Sequence, residues 1–315
     1  GRIPYLPIDA RQIAEKADRL SMLILPEIAV LSDEEHAAIE RFVRAGGSLL
    51  YTGASGMLDS LGYPRETFPL DTLVGIERIT RLPLEPAPAV GALDQLGDYS
   101  LHNYIRIALP RHPIFRGLEG TSILGLHGNC YHVRSHRLCP IAHLVPSFPT
   151  YPPEASFMED GEGVSDLPAI LAGETGYGGR VVYLAADYDR KYGETLFPDY
   201  GDLLKNAIVW ALAGSGALPL TVEGPGELSC ALFSQRDPDR LILQILNHSG
   251  LGRWPGSVEE IYPVGAQTIH IRTDGRPIGE VYARNLDRAL PFRRGRHGIT
   301  FLLDHIDDQE LIVIR

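Results

Sequence analysis

The stretch LILPEIAVLSDEEHAAIERFVRAGGSLLYTGASGMLD, from Leu23 to Asp59, contains the pattern that decides the fold of the first half of the chain. Met22–Pro26 is a short apolar run between polar residues, which is typical of a strand buried on both faces. Ser48–Thr52 has the same character and follows a helix-like segment. The stretch therefore predicts a strand–helix–strand unit with parallel strands and a right-handed crossover.

The helix between these strands carries a start signal and a stop signal. Ser32 is a favoured N-cap residue, and Glu35 follows it at the spacing of a capping box, in which each side chain binds a free backbone N–H. Gly46 and Gly47 provide the residue without a Cβ atom that a left-handed helix end requires. The helix is therefore predicted to run from Ser32 to the two glycines.

Later segments extend this pattern. Gly179–Ala185 reads as another buried strand, and a helix is predicted from about Tyr200 to Ala213. Residues 78–170 contain many prolines, which disfavour long helices. These observations predict a doubly wound α/β domain of the flavodoxin or amidotransferase type over residues 1–215.

After Gly216 the apolar residues recur with period two, which indicates short strands separated by turns. About a hundred residues of this kind predict a small all-β sandwich domain over residues 216–315. The predicted strands are Glu227–Ser234, Arg240–Asn247, Gln267–Arg272, Ile299–Leu303 and Glu310–Ile314.

Composition excludes several classes of partner. The 315 residues carry a formal net charge of −11, which argues against binding to nucleic acid or to anionic membranes. No apolar run is long enough to span a membrane. Three cysteines are too few for a disulfide framework and favour a reducing, cytoplasmic location. No cofactor is predicted.

Several short motifs of the chain occur in the same order in one known protein family. A leucine–proline strand end, a leucine–serine–acidic helix start, an aromatic–valine–x–alanine–glycine–glycine helix end and a threonine–glycine strand end occur in order. The chain thereby resembles the β-galactosidase trimerisation domain and C-terminal β-domain of glycoside hydrolases such as the family forty-two β-galactosidases. The segments are Leu25-Pro26, Leu31–Glu34, Phe42–Gly47, Thr52-Gly53, Gly176–Glu194, Leu203–Leu212 and Leu218–Gly250.

The resemblance implies an amidotransferase-like domain that has lost its chemistry. Active amidotransferases place a cysteine on a sharp G-x-C-x-G turn, whereas Gly53-Ala54-Ser55-Gly56 has no cysteine and a different glycine spacing. Ser55 also lacks the G-x-S-x-G context of a nucleophile elbow. The parent protein is therefore expected to be a glycoside hydrolase, but this chain alone is expected not to be catalytic.

The barrel that carries catalysis in such enzymes needs about 250 residues, for which the chain has no room. Either the parent protein is longer or it has no barrel. The expected partners are a glycosidase barrel domain, further copies of the chain, as a trimer if family-like, and a saccharide. Two alternatives remain, namely a free-standing carbohydrate-binding module and a hydrolase or amidotransferase that uses Ser55 or a cysteine.

Aromatic and acidic residues on predicted loops are candidates for contact with a sugar or a neighbouring subunit. Asp187 and Asp189 leave the end of a predicted parallel strand, where α/β sheets bind ligands. Aromatic faces stack on sugar rings and carboxylates bind hydroxyl groups. The candidates are Glu154, Asp187, Asp189, Tyr192 and Trp254.

The segment HGNCYHVRSHRLCP, from His127 to Pro140, raises the question of a zinc site. Its mixed spacing departs from the paired cysteine and histidine motifs of structural zinc sites, so no metal is predicted. A hairpin is expected instead, with strands Gly125–Arg134 and Pro140–Val145 around a turn. The weak candidate ligands are His127, Cys130, His132, His136 and Cys139.

Overall fold

The computed structural model describes residues 2–79, 103–126, 129–145, 165–250 and 260–315. The chain divides into two compact units, one of Ile8–Gly216 and one of Gly1–Pro7 with Ala217–Arg315. The sequence placed the first seven residues in the α/β domain. The structure groups them with the C-terminal unit, where the Arg2 guanidinium donates to the carbonyl oxygens of Pro225 and Gly226 at 2.8 and 2.7 Å.

The predicted strand–helix–strand unit is confirmed. Strand β1 (Met22–Leu25) pairs in parallel with β2 (Ser48–Thr52), and helix α2 (Asp33–Arg44) connects them. Both hydrogen bonds of the Ser32–Glu35 capping box are present. Gly46, just beyond the helix, has φ +98°, which a residue with a Cβ atom rarely adopts.

The first unit also contains the other described helices and strands β3 to β9. The helices are α1 (Ile13–Lys16), α3 (Pro69–Val74), α4 (Tyr188–Thr195) and α5 (Pro198–Leu212), with short 3₁₀ turns at Ala10–Gln12, Ala17–Arg19 and Pro113–Phe115. The strands are β3 (Ile76–Arg78), β4 (Asn103–Ile107), β5 (Ile123–Leu126), β6 (Val133–Ser135), β7 (Cys139–Val145), β8 (Pro168–Glu174) and β9 (Arg180–Leu184).

The main sheet of this unit is mixed rather than doubly wound and mainly parallel. Its strand order is β1-β2-β9-β8-β7-β4-β5, and the parallel pairs are β1 with β2 and β2 with β9. The pairs from β9 to β5 are antiparallel. The structure therefore confirms a mixed α/β unit and corrects the expected sheet, because the second half of the sheet is built from antiparallel pairs.

The centre of the main sheet is covered on both faces. All five residues of β2 and four of the five in β9 are buried, so side chains that point to opposite faces are equally enclosed. Helix α5 packs against both strands. This explains why the two strands read as continuous apolar runs in the sequence.

The second unit is a β-sandwich of two antiparallel sheets, as the period-two pattern predicted. The four-stranded sheet has the order β10-β13-β17-β16, and the five-stranded sheet has the order β11-β12-β18-β14-β15. The strands are β10 (Leu220–Glu223), β11 (Leu228–Arg236), β12 (Asp239–Asn247), β13 (Gln267–Arg272), β14 (Val281–Ala283), β15 (Arg288–Ala289), β16 (Phe292–Arg294), β17 (Gly298–Leu303) and β18 (Gln309–Ile314).

Among the described residues, no helix has both the length and the apolar character needed to cross a membrane.

Candidate functional site

The turn after β2 contains Ser55, which the sequence analysis compared with the nucleophile of an amidotransferase. Ser55 is buried, and its hydroxyl lies 2.8 Å from the Thr52 carbonyl oxygen and 3.1 Å from that of Leu25. The hydroxyl therefore points into the protein and donates to a backbone carbonyl. This geometry gives no support to a nucleophilic role for Ser55.

The backbone amides of the same turn are also occupied. The N–H groups of Gly53, Ser55, Gly56 and Met57 donate to backbone carbonyls at 2.9–3.1 Å, and the Ala54 N–H faces the Glu27 carboxyl. An oxyanion hole needs donors that are aimed at the reacting carbonyl and free to bind it. The described turn offers no such donor, so it lacks the groups for acyl transfer.

Cys130 is the cysteine nearest to this edge of the sheet, where it forms a bridge with Ala186. It is 1% exposed, and burial raises the pKa of its thiol to about 12. The thiolate is the reactive form of cysteine, so a thiol with this pKa is almost entirely unreactive at neutral pH.

Three carboxylates meet at the carboxyl ends of the parallel strands, and we call Glu27, Asp187 and Asp189 the carboxylate cluster. Glu27 follows β1, and both aspartates follow β9, on the two sides of β2. The negative charges of Asp187 and Asp189 act on Glu27. The cluster therefore lies where open α/β sheets commonly bind ligands.

Two hydrogen bonds through Thr52 of β2 link the backbone of Glu27 to the side chain of Asp189. The Glu27 N–H donates to Thr52 Oγ1 at 2.8 Å, and the Thr52 hydroxyl donates to Asp189 Oδ2 at 3.2 Å. Glu27 adopts φ +48°, which is uncommon for a residue with a side chain. Backbone strain of this kind is concentrated at functional sites, although its energy is small.

Asp187 is fully buried and bound to Arg190. The guanidinium donates to Asp187 Oδ2 through Nε at 2.7 Å and also through Nη2, and it reaches Glu194 on its other side. Asp187 Oδ1 is buried without a hydrogen-bond partner. Because its carboxylate has no access to solvent, Asp187 anchors Arg190 in this structure rather than offering an oxygen to a sugar.

Burial raises the pKa of Glu27, and the nearby Asp187 and Asp189 carboxylates raise it further, while the Ala54 N–H and Arg190 oppose the change. Burial likewise raises the pKa of Asp189. Both groups therefore hold their protons more tightly in the folded protein than in the unfolded chain.

We expect the Glu27→Gln variant to gain stability relative to the wild type as the pH rises from acid to neutral. A carboxyl whose pKa is raised by folding stabilises the protein fully below its unfolded-state pKa, and this contribution is lost as the pH rises through its folded-state pKa. Gln carries no titrating proton and keeps an oxygen near the Ala54 N–H. Urea unfolding at a series of pH values measures the difference.

The matched control is Glu223→Gln, which removes one exposed carboxylate from the other unit. It is expected to leave the pH dependence of the α/β unit unchanged, which separates a local effect from one of net charge. Parallel stability curves for the wild type and Glu27→Gln would contradict the prediction.

The hairpin predicted for the histidine- and cysteine-containing segment is wrong. Strand β6 pairs with β3 in a separate two-stranded sheet, whereas β7 pairs with β4 and β8 in the main sheet. The segment thus crosses from one sheet to another. Alternation of apolar and polar residues identifies a strand but not its partner, which explains the error.

The same crossing separates the candidate metal ligands. Cys130 is buried and Cys139 is exposed, while His136 lies at the surface 3.3 Å from Glu77. His132 is half-buried before β6, and His127 lies outside the described residues. In the part of the chain that the structure describes, no three His, Cys, Asp or Glu side chains are grouped to hold a metal ion.

Of the remaining sugar candidates, Tyr192 is 37% exposed on α4, and its ring lies so close to Gly201 that a methyl group there would be 2.8 Å from it. Glu154 and Trp254 lie outside the described residues. The structure therefore brings Asp187 and Asp189 together, and Tyr192 is partly open to solvent.

Sequence analysis missed Glu27, which joins the two predicted aspartates. Its signal was available, because Glu27 comes directly after Leu25-Pro26 at the end of a predicted parallel strand. It also missed Arg78, whose buried side chain forms an ion pair with Asp71 on α3. No local pattern marks that pair, since its members come together only in the folded unit.

Comparison with solved structures identifies the fold. The chain is similar to α-L-fucosidase isoenzyme 2 from Paenibacillus thiaminolyticus, with a TM-score of 0.68 and 17% identity over 94% of this chain. It is also similar to β-galactosidase from Bacillus circulans sp. alkalophilus, with a TM-score of 0.58 and 13% identity over 96% of this chain. A catalytic mutant of a GH42 β-galactosidase from G. stearothermophilus gives a TM-score of 0.52 and 16% identity over 94%.

The chain spans 40% of the fucosidase and 34% and 32% of the two β-galactosidases. No protein-family model matches the chain, and no curated protein matches it. The chain therefore has the fold of a domain pair that occurs within larger glycoside hydrolases.

Proposed function

We propose that this chain is a non-catalytic accessory portion of a glycoside hydrolase of the β-galactosidase type, which joins subunits and packs against the catalytic barrel. The observation that carries the proposal is the coverage. More than nine tenths of this chain aligns with a part, from 32% to 40%, of these longer enzymes. A fold shared in this way is evidence for a related place in the protein, not for the same substrate.

The turn after β2 supports the non-catalytic part of this proposal. The Ser55 hydroxyl is directed inward, and the amides of residues 53–57 face protein acceptors. The α/β unit therefore keeps the form of an enzyme domain while its reactive position serves the core. The rival hydrolase would need Ser55 or a cysteine to reach a substrate. Ser55, Cys130 and Cys230 are buried, and Cys139 is the exposed cysteine.

In this role, the α/β unit acts as the oligomerisation domain, and a trimer is the expected state if the assembly follows the family. Loops at the carboxyl ends of the parallel strands form part of the wall of a sugar cleft, with Asp189 and Tyr192 as the contacting side chains. Packing of apolar surface supplies the affinity, and polar loops supply the specificity.

The test compares this chain with the product of its complete reading frame on chromogenic β-galactosides and α-L-fucosides. The complete product is expected to contain a barrel of about 250 residues and to hydrolyse at least one of these substrates, whereas the chain alone shows no turnover. Ser55→Ala is the matched control and is expected to change nothing in either protein.

Two outcomes would overturn the proposal. Turnover by the chain alone, abolished by Ser55→Ala or by thiol alkylation, would establish the rival hydrolase. A complete reading frame without a barrel would favour a free-standing carbohydrate-binding module, which calorimetric titration with galactose and a monomeric mass would then identify.

A further inference from the structure

A polar cavity of about 440 Å³ lies beside the first turn of α2. Four carboxylates line it, from Asp33, Glu34, Asp59 and Glu66, together with the guanidinium of Arg65. Arg65 Nη1 lies 2.7 Å from Asp33, which compensates one of the four charges. The remaining three give the cavity a negative potential that favours a cationic group.

The turn that forms one wall of the cavity also exposes apolar side chains. Asp59 Oδ1 accepts the N–H groups of Leu61 and Tyr63, both at 2.9 Å, and so fixes the turn. Leu61 is 78% exposed and Tyr63 is 65% exposed. Large apolar groups held this far into water beside a cavity are typical of protein contact surfaces.

Glu34 and Glu66 are the cavity carboxylates that neither fix the turn, as Asp59 does, nor bind Arg65, as Asp33 does. Both are exposed, and neither forms an ion pair within the described ranges. Glu34 also lies in the first turn of α2, where a carboxylate is favoured by the helix dipole. That placement explains the charge of Glu34, but it does not explain why Leu61 and Tyr63 are exposed beside the cavity.

The complementary surface is on the β-sandwich. The segment Arg293-Arg294-Gly295-Arg296 is the only place in the chain where three of four consecutive residues are arginine. Arg294 donates to the Ile278 carbonyl oxygen, whereas Arg293 and Arg296 are exposed and form no ion pair with any described residue. Two cations therefore remain free at the β16–β17 hairpin.

An apolar side chain accompanies these cations. Arg293 on β16 lies opposite Thr300 on β17, so both point to the same face of the sheet. Leu302, two residues further along β17, shares that face and is 50% exposed. The hairpin thus combines positive charge with an exposed leucine, as the cavity combines negative charge with Leu61 and Tyr63.

We propose that the β16–β17 hairpin of a second copy of this chain docks against the cavity, with Arg293 and Arg296 facing Glu34 and Glu66. The contact joins two different surfaces, so it is heterologous, and repetition of the same contact closes a ring when the rotation allows. This inference rests on the proposed role in oligomerisation and names the surfaces that perform it.

A simpler role for the arginines needs no partner. Strand β16 is the edge of its sheet, and charged residues on an edge commonly block unwanted strand pairing. In that case, the Arg293→Glu/Arg296→Glu variant does not lower the association constant of the chain. The two roles therefore differ in a measurable result.

The experiment is sedimentation equilibrium of the full chain at low and high salt. We expect the double variants Glu34→Lys/Glu66→Lys and Arg293→Glu/Arg296→Glu each to weaken association by at least about tenfold. The chain that carries all four substitutions is expected to recover to within about threefold of the wild type, because the reversed charges again face each other. Added salt is expected to weaken the wild-type contact.

The matched control is Glu15→Lys/Glu174→Lys, which reverses two exposed carboxylates of the same unit away from the cavity. Its association is expected to equal that of the wild type. Three results would overturn the inference, namely equal effects of control and cavity variants, no recovery in the fourfold variant, or a wild-type chain that stays monomeric at roughly 100 μM.

These results are distinct from failure of the proposed function. An oligomer that is insensitive to the reversals overturns the contact and leaves the accessory role intact. Hydrolysis of a glycoside by the chain alone overturns the accessory role whatever the state of assembly.

Discussion

Replacing Arg78 with Ala is expected to lower the free energy of unfolding of the α/β unit by about 3–5 kcal/mol, because it leaves a buried carboxylate without its partner. The Arg78 side chain is 0% exposed, and its Nε and Nη2 lie 2.8 and 3.3 Å from the Asp71 oxygens. The Tyr51 hydroxyl adds a third hydrogen bond to Asp71 at 3.1 Å. Without the guanidinium, Asp71 must either keep an uncompensated charge in the core or take up a proton, and both cost free energy.

Aromatic rings around Arg78 increase the expected loss. Its guanidinium carbon lies 5.4–5.7 Å from the ring centres of Phe68, Tyr131 and Tyr183. Contacts of this kind are each worth about 0.5–2 kcal/mol when water is excluded. Ala would remove them and leave a cavity between the rings.

The measurement is urea unfolding followed by far-ultraviolet circular dichroism, since the helices of the described chain lie in the α/β unit. Arg44→Ala is the matched control, because Arg44 also contacts a carboxylate, Glu40, and a ring, Tyr177, but at the surface. It is expected to cost much less than Arg78→Ala, because solvent screens an exposed ion pair. If both variants lost the same free energy of unfolding, Arg78 would not have the stabilising role proposed for it.

Gly179→Ala is expected to destabilise the same unit by about 2–4 kcal/mol through backbone overlap. A methyl group at Gly179 would lie 2.3 Å from the Gly47 carbonyl oxygen and 2.8 Å from that of Gly46. Both obstacles are backbone atoms at the end of α2, so no side-chain rotation relieves the clash. The start of β9 must therefore move away from the helix end.

Gly193→Ala is the same substitution at a position where we expect it to raise, not lower, the stability of the α/β unit. Gly193 lies within α4, and a methyl group there would have no neighbour within 4 Å. Ala in a helix is more stable than Gly by roughly 0.5–1 kcal/mol, so a small gain is expected. Thermal unfolding of both variants measures the contrast, and a loss at Gly193 as large as that at Gly179 would refute the steric explanation.

The sequence predicted best those elements whose signals are local. The Ser32–Glu35 capping box, the glycines after α2 and the apolar runs of β2 and β9 each contain their own evidence within a few residues. The antiparallel half of the main sheet was not foreseen, because the pairing of β7 with β4 and β8 depends on contacts between distant segments. Strand pattern alone does not specify such partners.

The same distinction applies to the candidate site. Asp187 and Asp189 were predicted because they end a recognisable strand, and Asp189 does lie near Glu27. The burial of Asp187 was not foreseen, since it depends on Arg190 closing over the carboxylate. The inward direction of the Ser55 hydroxyl also had no sequence signal, because one of its acceptors, the Leu25 carbonyl oxygen, comes from a different strand.

The Glu27 side chain has a further consequence for anyone who wishes to engineer activity into this domain. Placing a thiol at position 55 would be insufficient, because the carboxyl of Glu27 already faces the Ala54 N–H, and the N–H groups of Gly53, Ser55, Gly56 and Met57 already donate to backbone carbonyls. A working redesign must shorten residue 27 as well as exchange Ser55. A reactive group introduced at this turn would thus depend on at least two coupled substitutions.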